Sequence, residues 1–179
     1  MSGGTGSADA GGAAGAADAS SGPSPVDAAV LALSDGQIVA VADALLAGEL
    51  DQARAAEAQL SDADLLAFAE QTIAEREAAR STLASLATAI DVLAAPSDVA
   101  EDVLAENVAS LAPLLTEPDA GSLDAAFLST REAVHTRAFD RFTALAAAAD
   151  APALRAQLVV LQALEQSALE RARELNGGP

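Results

Sequence analysis

The chain contains no cysteine. Disulfides, thiolate metal sites and cysteine nucleophiles are therefore excluded, and the absence fits cytoplasm and envelope alike. Aromatic residues are only 2% of the sequence, and the four that occur are phenylalanines. A core so poor in rings must be aliphatic, which lets helices approach toward the low end of the roughly 8–10 Å interaxial range. No apolar run approaches the roughly 20 residues of a membrane span. No basic start followed by an apolar segment marks a signal peptide. Positive charge is scarce: nine basic residues, all arginine, stand against 27 acidic ones, for a formal charge of −18. Such a surface repels phosphate backbones and anionic lipid heads, which argues against nucleic-acid binding. The single histidine has no serine at a tell-tale spacing, so a hydrolase triad is not indicated. Glycine-rich stretches occur only in the first two dozen residues and follow no strand, so phosphate-loop chemistry is not indicated either.

What remains is helix. The apolar fraction is 51%, much of it alanine, the best helix former. Residues 1–24 are Gly, Ala, Ser and Asp with almost nothing to bury, and are expected to form a disordered tether. Its composition is similar to the segment that follows the lipidated cysteine of a bacterial lipoprotein, with Met1 standing where a processed signal was cut away. Residues 25–176 are expected to form one bundle domain, and residues 177–179 a disordered end. Pro25–Leu33 suggests a short apolar turn or helix. Ser34 with Gln37 forms a capping box for a first helix over Asp35–Gln59. Its inward set is Ile38, Val41, Ala42, Leu45, Glu49, Gln52, Ala53 and Ala56.

Ser61 is the expected cap of a second helix running to Leu93. Its seam is Leu65, Ala69, Thr72, Arg76, Ala79, Leu83, Leu86, Ile90 and Leu93, at alternating steps of four and three. The link between these two helices is so short that they must form an antiparallel hairpin. Ser97 starts a shorter helix over Asp98–Leu115, apolar at Val99, Val103, Leu104, Val108, Leu111 and Leu115, with Pro113 in its last turn. Thr116–Ser122 reads as a loop. Ser122 is the expected cap of a third long helix, Leu123–Ala148, with Leu128, Arg131, His135, Ala138, Phe142 and Leu145 in its seam. Asp150 is the expected cap of a fourth, which runs to Leu175 and ends at Asn176-Gly177-Gly178. Two tight hairpins joined by one long connection give an all-α fold of the ferritin-like four-helix plan, with an extra helix in the crossover.

Counting residues from each turn brings Glu49, Thr72, His135 and Glu165 to about one height at about 1.5 Å per residue. Arg76 and Arg131 lie a turn to either side and can reach in. A dinuclear carboxylate site requires a Glu-x-x-His from each of two helices. Here Glu132-Ala-Val-His135 is such a match, but Glu165-Gln-Ser-Ala168 places alanine where the second histidine would stand. The expectation is a buried polar layer of Glu49, Thr72, Arg76, Arg131, His135 and Glu165, with no catalytic residue and no cofactor. A single Fe, Zn or Mn ion on Glu49, Glu132, His135 and Glu165 is the alternative.

Four segments carry a resemblance: Leu45-Leu-Ala-Gly-Glu-Leu-Asp-Gln-Ala53, Leu66-Ala-Phe-Ala-Glu-Gln71, Phe127-Leu128 with His135, and Ala172-Arg-Glu-Leu175. On these, Leu33–Leu175 resembles a bacterial domain-of-unknown-function family of ferritin-like helical proteins, described as outer-membrane or periplasmic. Family members commonly carry an Asp-His pair on the second helix and a histidine on the fourth. Glu75-Arg76 and Ala168 stand there in this chain, so only His135 matches. The resemblance implies a periplasmic or extracellular location, with a lipid anchor through a cysteine upstream of Met1. The expected function is that of a non-enzymatic envelope protein acting through its surface. A degenerate metal-binding or stress-related bundle, and an oligomerisation module forming a homodimer, are the alternatives.

Overall fold

The computed structural model describes residues 29–116 and 119–177. The expected tether over 1–24, the first part of the Pro25–Leu33 segment, positions 117–118 of the expected loop and positions 178–179 lie outside the described residues. Among the described residues there are five α-helices and no strand: α1 Asp35–Glu57, α2 Ala63–Ala89, α3 Asp98–Thr116, α4 Ala120–Ala148 and α5 Pro152–Gly177.

The helix ends follow local chemistry, and three caps differ from expectation. At α1 the capping box forms: the Gln37 amide donates to Ser34 Oγ at 3.4 Å, and the Ser34 amide donates to Gln37 Oε1 at 3.0 Å. At α2 the cap is Asp62 rather than Ser61; its carboxylate accepts the amides of Asp64 and Leu65 at 2.8 and 3.0 Å. A carboxylate is the stronger acceptor and suits the positive end of the helix dipole. At α4 the cap is Asp119, which accepts the Ser122 amide at 2.8 Å, so the cap lies three residues before the expected Ser122 and the helix starts at Ala120. At α5, Pro152 is the first helical residue, as its fixed φ favours. Asp150 therefore stands one residue ahead of the cap position. The amides of Asp150 and Ala151 donate across the bundle to the Asp35 carboxylate, at 2.9 and 3.0 Å. The α5 helix also continues past the expected Leu175 to Gly177.

The largest difference in helix length is at α2, which stops at Ala89 instead of Leu93. Asp91 adopts φ 56°. The amides of Val92 and Asp91 turn back to the carbonyls of Ala87 and Thr88, at 2.9 and 3.2 Å. This is the Schellman closure, with aspartate in the left-handed position that glycine usually fills. Leu93, expected in the seam, is thereby thrown out of the helix and is 86% exposed.

Helix α1 packs against α2, α3 and α4, while α5 packs against α4 and α2. The four long helices therefore close as a ring in the order α1, α2, α5, α4, and α3 runs along the outside of α1 and α4. Polar contacts hold α3 in place. Asn107 Nδ2 donates to the Ala44 carbonyl at 2.8 Å, in the space left by the missing side chain of Gly48. Arg141 pairs with Glu106 at 2.7 Å. Because α3 has neighbours on one side only, Val99, Val103 and Leu114 are buried while Leu104, Val108 and Leu115 stay exposed. The broad apolar face expected for this helix is thus only half covered.

The core falls into two apolar clusters. The larger is built on Ile38, Leu46, Leu83, Phe142, Leu145 and Leu158. The smaller gathers Phe68, Leu114, Leu123 and Phe127 with small residues of α1, α2 and α5. Between them lie the buried polar side chains.

Candidate functional site: a buried polar layer

Seven polar residues are buried, at 0–2% exposure: Glu49 and Gln52 from α1, Thr72 and Arg76 from α2, Arg131 and His135 from α4, and Glu165 from α5. Helices α1, α2 and α4 each bring two members inward at steps of three or four, the spacing that keeps side chains on one face, and α5 brings one.

Arg76 is the centre. Its Nε donates to Glu49 Oε2 at 2.6 Å, and its Nη2 lies 3.1 Å from Glu165 Oε1 and donates to Glu165 Oε2 at 3.2 Å. Glu75, the neighbour on the same helix, adds a contact to Nη1 at 3.5 Å. His135 Nδ1 faces both acids, 2.9 Å from Glu165 Oε2 and 3.5 Å from Glu49 Oε2. Arg131 donates to Gln52 Oε1 and lies over the Phe127 ring, 5.1 Å from its centroid. Phe68 packs edge-on against both Phe127 and His135, at 6.3 and 6.0 Å between centroids. Thr72 returns its hydroxyl to the Phe68 carbonyl at 2.8 Å and is a wall of the layer rather than a partner in it.

The chemistry follows from burial set against charge. Burial works to raise both carboxyls. Arg76 outweighs it at Glu49, with Arg131 helping, and holds that group below 4.5. At Glu165, burial together with the Glu49 charge prevails and pushes the group well above 4.5. Burial pushes His135 down to about 3, against the pull of Glu49, so the ring is neutral. Burial likewise brings Arg131 down to about 10, still protonated at neutral pH. The Arg76 guanidinium is held above its usual value by its two acids despite burial, and remains a fixed cation.

Of the candidate ligands, Glu49, His135 and Glu165 come together: one ligand atom from each lies within 4.8 Å of the others. Glu132 does not join them. Its carboxylate is half-buried at the other side of α4, where it accepts from Asn176 Nδ2 at 2.6 Å and lies 3.9 Å from Arg173 Nε. The Glu-x-x-His spacing therefore places only its histidine in the layer. Gln52 and Phe68 are the members without a place in the expected layer. Gln52 lies on the inward face of α1 at one turn from Glu49, a signal sufficient to include it. Phe68 lies one turn from Thr72, a step beside the expected seam.

Two antiparallel hairpins closed around a sealed ionic layer define an all-α helical bundle. Residues 20–175 match the family described as a domain of unknown function, DUF4142, and the chain belongs to that family. No curated protein and no solved structure matches the chain.

Proposed function

We propose that this chain is a non-enzymatic helical-bundle protein of the cell envelope, whose polar layer locks its two hairpins in register and which acts through its surface. One observation carries the reading: the Arg76 guanidinium bridges Glu49 of its own hairpin and Glu165 of the other, the position a bridging metal cation would need. The charge of the acids is thus met internally, and Arg76 links α2 to α1 and α5 in one contact set. Such a layer suits register, because sliding one hairpin against the other by one turn separates Arg76 from Glu165, His135 from Glu49 and Arg131 from Gln52 at once. The envelope location rests on the family resemblance and on the Gly, Ala and Ser composition of residues 1–24, which suits a tether. Fractionation of the native host, with a test for lipid on the purified chain, checks location; recovery wholly in the cytosol removes it.

A second reading has one observation in its favour. Glu49 Oε1, Glu165 Oε1 and His135 Nε2 are buried without a hydrogen-bond partner. Carboxylate and imidazole donors suit Fe, Zn or Mn. A degenerate ferritin-like site would then hold a single ion beside Arg76, at the cost of placing two cations together. Elemental analysis of protein purified without chelator separates the readings. Trace metal only, with no rise in melting temperature on adding Fe, Zn or Mn, supports the structural layer. Stoichiometric metal with a thermal shift supports the ion, since a ligand bound only to the native state must raise stability.

A further inference from the structure

Outside the layer, an apolar groove of about 770 Å³ opens between α2 and α3 over the outer face of α1. Its floor is Ala40, Ala44 and Ala47, one helical face of small side chains. Its walls carry Leu83 from α2 and Leu104 from α3, and the extruded Leu93 stands at its end. Leu93 and Leu104 are 86% and 52% exposed. The floor lets a backbone approach closely, and the walls offer side chains to interdigitate. That is the form of a groove for an amphipathic helix.

The rim says what kind of helix. Asp43 and Glu101 line the groove, and Asp51 lies close enough to act on Arg80. Arg80, the cation among the lining residues, is committed to Asp43 through two bonds of 2.7 and 3.0 Å. Glu101 has no ion-pair partner among the described residues. The rim is therefore net negative on a chain of formal charge −18. A second copy would bring the same sign and be repelled. The chain's own first 28 residues hold three aspartates, no basic residue, and only Met1 and Val26 as larger apolar side chains. They lack both the charge and the apolar face.

We infer that this groove docks a basic amphipathic helix of another protein, with leucine-like side chains on the Ala40–Ala47 floor and Lys or Arg against Asp43, Asp51 and Glu101. The inference rests on the proposed surface role, but its test does not touch the layer. Metal content and layer variants judge that role, and peptide binding judges this groove.

The probe is a synthetic 18-residue Leu/Lys amphipathic helix, titrated into the full chain by calorimetry, beside its Leu/Glu counterpart. Expected is saturable one-to-one binding of the Leu/Lys peptide only. Ala47→Arg with Glu101→Arg should weaken it at least about tenfold. Val159→Arg with Val160→Arg, on the exposed face of α5, adds two positive charges elsewhere against the three added by the groove pair and should change affinity by no more than about twofold. Circular dichroism of both double variants checks folding. Equal weakening by the two pairs, no binding, or equal binding of the Leu/Glu peptide would overturn the inference. So would a dimer in sedimentation equilibrium that Ala47→Arg dissolves. A nitroxide at Ser20→Cys that broadens the Ala47 and Ala84 amide signals in the free chain would instead assign the groove to the chain's own start, and would also overturn it.

Discussion

Arg76 shows how one side chain can hold a bundle's interior together. Removing it leaves two acids buried without their cation, so Arg76→Met should lower unfolding free energy in urea by about 3–5 kcal/mol. Replacing Arg76, Arg131, Glu49 and Glu165 together by apolar residues of similar volume should recover most of that loss, because no unpaired charge remains. A double-mutant cycle on Arg76 and Glu165 reads their coupling directly, and zero coupling would dissolve the pairing. His135 gives the layer a pH signature. Its value falls from 6.5 to about 3 in the fold. Between those values the unfolded chain takes up a proton that the folded chain refuses. The stability tied to the neutral ring is complete above about pH 6.5 and is lost as pH falls toward 3, by about 1.4 kcal/mol per pH unit. Glu49, held low, adds a loss below 4.5, while Glu165, held high, contributes stability that fades as pH rises above 4.5. Comparison with His135→Gln isolates the histidine. The stability gap between wild type and variant should narrow from pH 7 to about pH 4, and a constant gap would mean that His135 titrates normally in the fold.

At the scale of elements, the hairpin ends are tied by carboxylates from the opposite hairpin. Asp124 of α4 accepts the amides of Ser61 and Asp62 at 2.9 and 3.1 Å, as Asp35 of α1 does for the turn before α5. Asp124→Ala should cost about 1 kcal/mol, the loss of a cap, measured as a lower melting temperature. Gly36 sits where α1 meets the segment after α2: a Cβ there would lie 2.4 Å from the Leu93 carbonyl oxygen. Backbone cannot rotate aside as a side chain can, so Gly36→Ala should destabilise by about 1–3 kcal/mol despite alanine's better helix propensity. Unchanged stability would mean that the Leu93 segment gives way freely. These contacts explain which helix ends were legible. The Ser34–Gln37 box is local and was readable. The α2 terminus was not, because its left-handed residue is Asp91 and no glycine marks it. The caps of α2 and α4 lie one and three residues from the expected serines, since Asp and Ser compete for the same role at nearby positions.

For the whole molecule, the dominant quantity is charge. At −18, self-repulsion opposes compaction, so raising NaCl from about 0.02 to 0.5 M should raise the melting temperature as the Debye length shrinks from about 20 Å to a few ångströms. A fall instead would assign more weight to half-exposed pairs such as Arg80–Asp43 and Arg141–Glu106. The same charge disfavours a homodimer through the exposed face of α3. The ring of four long helices also decides how the core is divided. Two apolar clusters sit above and below the ionic layer, so the layer's partners are drawn from all four helices at once.

Periodicity and turn chemistry, both local properties of the chain, determined the helices, their pairing into two hairpins and the inward placement of Glu49, Thr72, Arg76, Arg131, His135 and Glu165. They could do so because a helix repeats at 3.6 residues and a charge on its apolar face is conspicuous. Only the tertiary structure decided that Arg76 bridges two acids, that Gln52 answers Arg131, that Glu132 turns away, and that Leu93 and Leu104 border an open groove. Those outcomes depend on the rotation of each helix about its own axis and on which neighbours it meets, and a repeat along one chain carries neither.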